Sequence, residues 1–128
     1  KATVVTDTGI ISDDILHRID DSTLLVLEAN YDPHMLRFGP YQPFLKQRVA
    51  SDEGHLSNEM AAQALLMMKR PDFMQVILAH RSENNNNAVL VTQTIGKMLV
   101  DGGVRIGPEM KLQHGQPNEI VSMQSIKR

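Results

Sequence analysis

The stretch Thr23-Leu24-Leu25-Val26-Leu27, which runs into Glu28-Ala29-Asn30, decides the class of fold. It is a continuous apolar run without alternating polar side chains, which is typical of a strand covered on both faces. Val76 to Ala79 is a second run of this kind and stops at His80. Ala2 to Thr6 is a shorter β-branched run. We therefore predict three strands, two of them buried on both faces.

Helices are predicted between these strands. Ser12 and Ser57 are good N-caps for the first two, each followed by apolar residues at helical spacing. A third helix follows the run Asn84–Asn87 and ends at Gly102-Gly103. Two short strands are predicted after Gly107, near Met110 to Gln113 and Ile120 to Met123. The alternation of strands and helices predicts an α/β layered architecture.

Residues 31 to 56 form the least regular part of the chain. They contain Pro33, Pro40 and Pro43, together with Gly39 and Gly54. We predict a long loop with short helical pieces, and loops of this length are often functional.

Composition limits the possible functions. The 128 residues suffice for one domain, and the net charge of −2 means that any surface for nucleic acid must be local. The absence of cysteine excludes disulfides and thiolate metal sites, so His and carboxylates are the available ligands. It also fits a cytoplasmic protein. No apolar run approaches the ~20 residues that a membrane helix needs.

Polar side chains recur just after the predicted strands. Asp7 follows the first, Glu28 ends the second and His80 follows the third, while His55 precedes a helix. The carboxyl ends of strands are where sites are built in α/β sheets. Each residue also has a structural interpretation: an Asx-turn for Asp7, an ion pair with an Arg for Glu28, and local hydrogen bonding for the two histidines. The remaining histidines, His17, His34 and His114, are predicted to be structural or surface residues.

Four motifs resemble a known family in their order and spacing. They are Thr6-Asp7-Thr8-Gly9, Leu27-Glu28-Ala29-Asn30, Ser51-Asp52-Glu53-Gly54-His55-Leu56-Ser57-Asn58 and Ala79-His80-Arg81-Ser82. They resemble the later motifs of metallo-β-lactamase-fold nucleases, above all the double-stranded DNA exonucleases associated with the Walk two-component operon. Ribonuclease Z is a more distant resemblance. The likeness extends to about Gly107, and it implies the C-terminal half of an αββα sandwich.

The resemblance also implies roles for individual residues. Asp7 corresponds to the carboxylate that bridges two metal ions, and His80 to the last histidine ligand. His55 corresponds to the histidine that protonates the leaving oxygen, and Glu28 to the residue that orients it.

Substrate contacts are expected at four positions. Ser82 and Asn85 lie in the motif after the last ligand and are expected to hold the substrate or the loop. Lys46 and Arg48 adjoin the His55 block and are interpreted as substrate-binding, whereas Phe38 and Phe44 are expected to pack inward. The sequence departs from the family pattern at Arg81 and Asn84, where an apolar residue and a Glu are usual.

The histidine-rich motif His-x-His-x-Asp-His, which supplies most ligands in this fold, does not occur in the sequence. About two direct ligands are too few for a stable metal site, so two divalent ions (Zn or Mn) are expected to be weakly bound or absent in this chain. The chain starts without Met inside a predicted strand. We therefore expect all of residues 1 to 128 to be one half of a domain. The other half would be the missing N-terminal part or a second copy.

The function predicted from the sequence is part of a two-metal phosphodiesterase, a DNA exonuclease. Its parent protein is expected to be a metal-dependent hydrolase, and this chain alone to be inactive. The alternatives are a ribonuclease or small-molecule hydrolase of the same fold, or a non-catalytic interaction module, since fold does not determine substrate.

Overall fold

The structure is a computed structural model, and it describes residues 1–115. Strands and helices alternate for most of this length. The strands are β1 (Ala2–Val5), β2 (Leu24–Glu28), β3 (Met74–Ala79) and β4 (Met110–His114). The helices are α1 (Asp13–Ile19), α2 (Pro33–Phe38), α3 (Pro43–Ala50), α4 (Asn58–Met67) and α5 (Ala88–Asp101).

The four strands form one parallel sheet in the order β1-β2-β3-β4. The register pairs Val5 with Leu27, and Glu28 with Ala79. Because all four strands run in the same direction, the residues that follow β1, β2 and β3 meet at one edge of the sheet. The mixed α/β class with a parallel sheet confirms the class predicted from the sequence.

The two faces of the sheet have separate apolar clusters. Leu25, Leu27, Val76 and Leu78 point towards one face, where they pack with buried residues of α1, α4 and α5. The alternate residues of the same two strands, Leu24, Val26, Ile77 and Ala79, form a second cluster on the other face. This burial on both faces explains why β2 and β3 read as unbroken apolar runs.

The long segment between β2 and α4 contains short helices, as predicted. Residues 31 to 56 contain the two helices α2 and α3. Each begins with a proline, Pro33 or Pro43, whose fixed φ suits the first helical position. These two short helices agree with the predicted long loop with short helical pieces, although proline spacing did not fix their bounds.

The other element predictions agree with the structure to within a few residues. Ser12 and Ser57 are the N-caps of α1 and α4, and Gly102 ends α5. The predicted strand near Ile120 to Met123 lies outside the described residues. Among residues 1 to 115, none of the helices is long and apolar enough to cross a membrane.

Candidate metal centre

Four polar side chains from distant parts of the chain converge at the carboxyl edge of the sheet. Asp7, Glu28, His55 and His80 each place one potential ligand atom within 4.8 Å of all the others. The metal-ligand roles that the resemblance implies for Asp7 and His80 predict that their side chains converge from neighbouring strand ends. The side chains do converge, with 3.6 Å between Asp7 Oδ1 and His80 Nδ1. Their strands, however, flank β2, so Glu28 lies between them.

Asp7 and His80 both have left-handed backbone conformations. Their φ angles are 59° and 58°, in a region that non-glycine residues rarely occupy. Asp and His tolerate this region better than most residues, but it still costs free energy of the order of 1–3 kcal/mol each. Such conformations cluster at functional sites, and here each turns a strand-end side chain towards Glu28.

Glu28 is the buried centre of the cluster, with no exposed surface. Its Oε1 lies 2.9 Å from His55 Nδ1 and 2.8 Å from His80 Nδ1. Its Oε2 accepts a hydrogen bond from the backbone N–H of Leu56 at 3.2 Å. Since Glu28 faces the Nδ1 atom of both rings, each Nε2 is left for another partner. The family resemblance predicts the contact of Glu28 with His55, but not the contact of Glu28 with His80.

His55 is held by the turn that precedes α4. Its N–H donates to Val49 O at 2.9 Å, and Gly54 N–H donates to Ser51 O at 2.9 Å. A Cβ at Gly54 would overlap the carbonyl oxygens of Arg48 and Val49, so only glycine permits this close packing. The Asp7 turn packs on the same segment through Gly9, whose N–H donates to Asp52 O at 2.9 Å. The two glycines therefore allow the Asp7 and His55 loops to meet.

The two basic residues predicted to bind substrate lie in different places. Arg48 lines a cavity of about 380 Å³ together with Asp7, Glu53 and His55. Lys46 lines a separate, mainly apolar groove beside Tyr31 and Leu36, and its Nζ donates to Arg37 O at 2.7 Å. The structure thus brings Arg48 to the cluster but not Lys46. Phe38 and Phe44, which were expected to pack inward, are 68% and 62% exposed.

Ser82 and Asn85 lie at a second cavity, which His55 also lines. Both line a cavity of about 310 Å³ with His55, Asn30 and Tyr41. Ser82 Oγ accepts from Asn85 N–H at 3.1 Å, so the pair also organises its own loop. Asn85 is buried, and its Oδ1 has no hydrogen-bond partner among the described residues. Tyr41 was not predicted as a site residue, although the sequence places this ring among Arg37, Lys46 and Arg48.

The donor set fits a divalent metal ion. Carboxylate oxygen and imidazole nitrogen are ligands for both Zn and Mn. A histidine ligand commonly donates its other ring N–H to a carboxylate, which is the relation of His80 to Glu28. The side chains present are therefore consistent with a metal centre made in part by this chain.

Comparison with known proteins identifies three exodeoxyribonucleases as homologues. Exodeoxyribonuclease YycJ of Bacillus anthracis is 32% identical over 126 residues, which are 98% of this chain and 48% of that protein. Exodeoxyribonuclease WalJ from two strains of Streptococcus pneumoniae is 32% identical over 123 residues, 96% of this chain and 46% of each relative. The chain therefore spans about half the length of the curated relatives that it matches. No family model matches, and no solved structure is significantly similar.

These homologues confirm the resemblance to the WalJ-like exonucleases that was based on the four motifs. The metallo-β-lactamase sandwich remains a prediction.

Proposed function

We propose that this chain is the C-terminal half of a metal-dependent hydrolase whose complete form is a DNA exonuclease. The convergence of Asp7, Glu28, His55 and His80 is the observation that carries the proposal. The names of the homologues favour DNA over the alternative substrates. The complete protein would be cytoplasmic.

In this proposal Asp7 and His80 hold the metal ions from this half of the site. Two divalent ions, Zn or Mn, would supply Lewis acidity there when bound, which would activate water and polarise the phosphoryl group. Glu28 fixes both imidazoles through their Nδ1 atoms. His55 is then left with Nε2 to donate a proton to the leaving oxygen.

Arg48 is the residue best placed to contact a phosphate. It shares a cavity with Asp7 and His55, and its exposed guanidinium can bind phosphate oxygens through two parallel N–H groups. Ser82 and Asn85 would contact the substrate in the second cavity, which His55 also lines. A substrate role for Lys46 has less support, because its ammonium group is bound to Arg37 O.

The remaining ligands would come from outside residues 1 to 128. The homologues are about twice as long as this chain, which fits a preceding half that contains His-x-His-x-Asp-His. The alternative is that a second copy of this chain packs against the first and takes the place of that half. The coding sequence upstream of Lys1 distinguishes these two arrangements.

The experiment is hydrolysis by the complete protein, loaded with Mn or Zn. Linear double-stranded DNA, closed circular DNA, RNA and a nitrophenyl phosphodiester are offered separately. Nucleotides should be released from linear DNA, while circular DNA stays intact. Asp7→Ala should lower both the bound metal and the rate, because Asp7 would be one of the ligands that hold the ions.

Other outcomes would contradict the proposal. Hydrolysis of RNA or of the small diester, without hydrolysis of DNA, would replace the exonuclease with the corresponding alternative. No hydrolysis of any substrate by the metal-loaded protein would favour a non-catalytic role.

A further inference from the structure

Asn30 joins the two segments that carry the histidines. It comes two residues after Glu28. Its backbone N–H donates to Leu56 O at 2.9 Å, beside His55. Its backbone oxygen accepts from Ser82 N–H at 2.8 Å, beyond His80. The main chain of Asn30 thus ties both histidine loops to the end of β2.

The side chain of Asn30 makes a different contact, and it makes this contact to His80 itself. Its Nδ2 donates to His80 O at 2.6 Å. His80 has the unfavourable φ of 58°, so its peptide group needs a partner to stay in that orientation. Glu28 meanwhile holds the ring at Nδ1. Backbone and ring are each anchored once, and these two anchors hold the ring beside Asp7, whose Oδ1 lies 3.6 Å from His80 Nδ1.

We propose that Asn30 is a positioning residue of the metal centre, whose side-chain amide keeps the His80 backbone in the conformation that turns its imidazole into the cluster of Asp7, Glu28 and His55. The proposal rests on the proposed function only in taking His80 as a ligand. In this role Asn30 would hydrogen-bond to a metal ligand without touching the metal. Residues that hydrogen-bond to metal ligands in this way are known to orient them.

Substitutions at Asn30 can show whether its side chain positions His80 or only stabilises the fold. Alanine and leucine keep the two main-chain bonds that tie the loops, so Asn30→Ala removes the side-chain bond to His80. Asn30→Leu restores the volume without a donor. Ser22→Ala is the matched control: Ser22 is fully buried near the opposite end of β2, where its Oγ lies 2.8 Å from Thr3 Oγ1.

The experiment measures Zn and Mn affinity of the complete protein by competition with a chelating indicator, together with the melting temperature of the metal-free form. Asn30→Ala and Asn30→Leu should both weaken metal binding by roughly 10- to 100-fold, the usual cost of losing a partner of a metal ligand. Ser22→Ala should bind metal as the wild type does. The metal-free melting temperatures of the three variants should lie close together.

Three results would overturn the proposal. They are unchanged metal affinity in Asn30→Ala, restored affinity in Asn30→Leu, and a fall in melting temperature in Asn30→Ala far beyond that of Ser22→Ala. Failure of the proposed function is a separate result: a wild-type protein that binds metal but hydrolyses no DNA would leave the affinity differences in place.

Discussion

Glu28 shows at the scale of a residue how one buried charge organises this site. Burial of an isolated carboxylate is costly, and it is tolerated where the carboxylate is well hydrogen-bonded. Glu28 meets this condition with two imidazole Nδ1 atoms and the Leu56 N–H. The arrangement directs the same ring atom of His55 and His80 inward and leaves the Nε2 atoms for chemistry.

His55→Ala tests the proton-donor role in the complete enzyme. The position of His55 is set by backbone contacts and by the Ser57 cap of α4, so folding and metal content should change little. The rate on DNA should fall by roughly 10²- to 10⁴-fold, the usual effect of a lost acid–base group. A nitrophenyl phosphodiester needs no proton on its leaving group and should retain most of its rate.

The measurements on His55→Ala are its rates on both substrates, its metal content and its melting temperature. Equal losses on the two substrates would remove His55 from proton transfer. A structural histidine would instead lower stability and slow both reactions alike.

At the scale of an element, the start of α4 connects the His55 loop with the loop after His80. Ser57 Oγ accepts from Met60 N–H at 3.1 Å and begins the helix. Asn58 and Asn86 are buried and exchange two side-chain hydrogen bonds, of 2.9 and 2.8 Å. Asn86 Nδ2 also lies 3.2 Å from Ala29 O, which it can reach as a donor. The helix start is thereby fixed to β2 and to the segment before α5.

The first turn of α4 also contains Glu59, whose partial burial disfavours its charged form. Burial raises the pKa of Glu59 above its ordinary value of 4.5, and the nearby Asp32 charge adds to this effect. Between the ordinary and the raised pKa, the unfolded chain loses its proton while the folded chain keeps it, so stability falls as pH rises. Glu59→Gln should therefore raise the melting temperature at pH 7, with a gain that disappears below about pH 4.

Glu109→Gln is a control for the same series of melting curves, because it should change the melting temperature at pH 7 in the opposite direction. Hydrogen bonds from Arg105 lower the pKa of Glu109, so its charged form favours the folded state. That contribution is present above the ordinary pKa and lost as pH falls through the lowered one. Glu109→Gln should therefore lower stability at pH 7. A Glu59→Gln variant that also melts earlier at pH 7 would contradict the expected effect of burial.

For the molecule as a whole, the two faces of the sheet differ. The face that packs on α1, α4 and α5 contains the larger core. The second face carries a small cluster from β2 and β3. Val4 pairs with Val26 in the register and so belongs to this face, but it is 54% exposed at the end of the strand order. An exposed apolar edge of this kind favours association.

We predict that the isolated chain of residues 1 to 128 self-associates through the second face. Val4→Lys should weaken this association because it places a charge on the exposed edge. Val100→Lys is the control, since Val100 is 59% exposed on α5 and belongs to the helical side. Sedimentation velocity over a range of concentrations measures the effect. A concentration-independent monomer, or equal effects of both variants, would contradict the prediction.

The sequence by itself determined the features that depend on neighbours a few residues apart. Serine caps and apolar spacing located α1, α4 and α5, while apolar runs located β1, β2 and β3. The strand-end positions of Asp7, Glu28 and His80 followed from the same runs. The motifs also led to the exonuclease resemblance that the homologues support.

Only the tertiary structure decided which of these groups meet. The strand order places β2 between β1 and β3, and this alone brings Glu28 into contact with His80, 52 residues away. The same packing lets the Asn30 side chain donate a hydrogen bond to the His80 carbonyl. It also places Lys46 and Arg48 at different cavities. Such contacts depend on how segments far apart in the sequence pair with one another. This pairing leaves no repeating pattern in the local sequence. Caps and strands could therefore be read from the sequence, whereas the partners of each side chain could not.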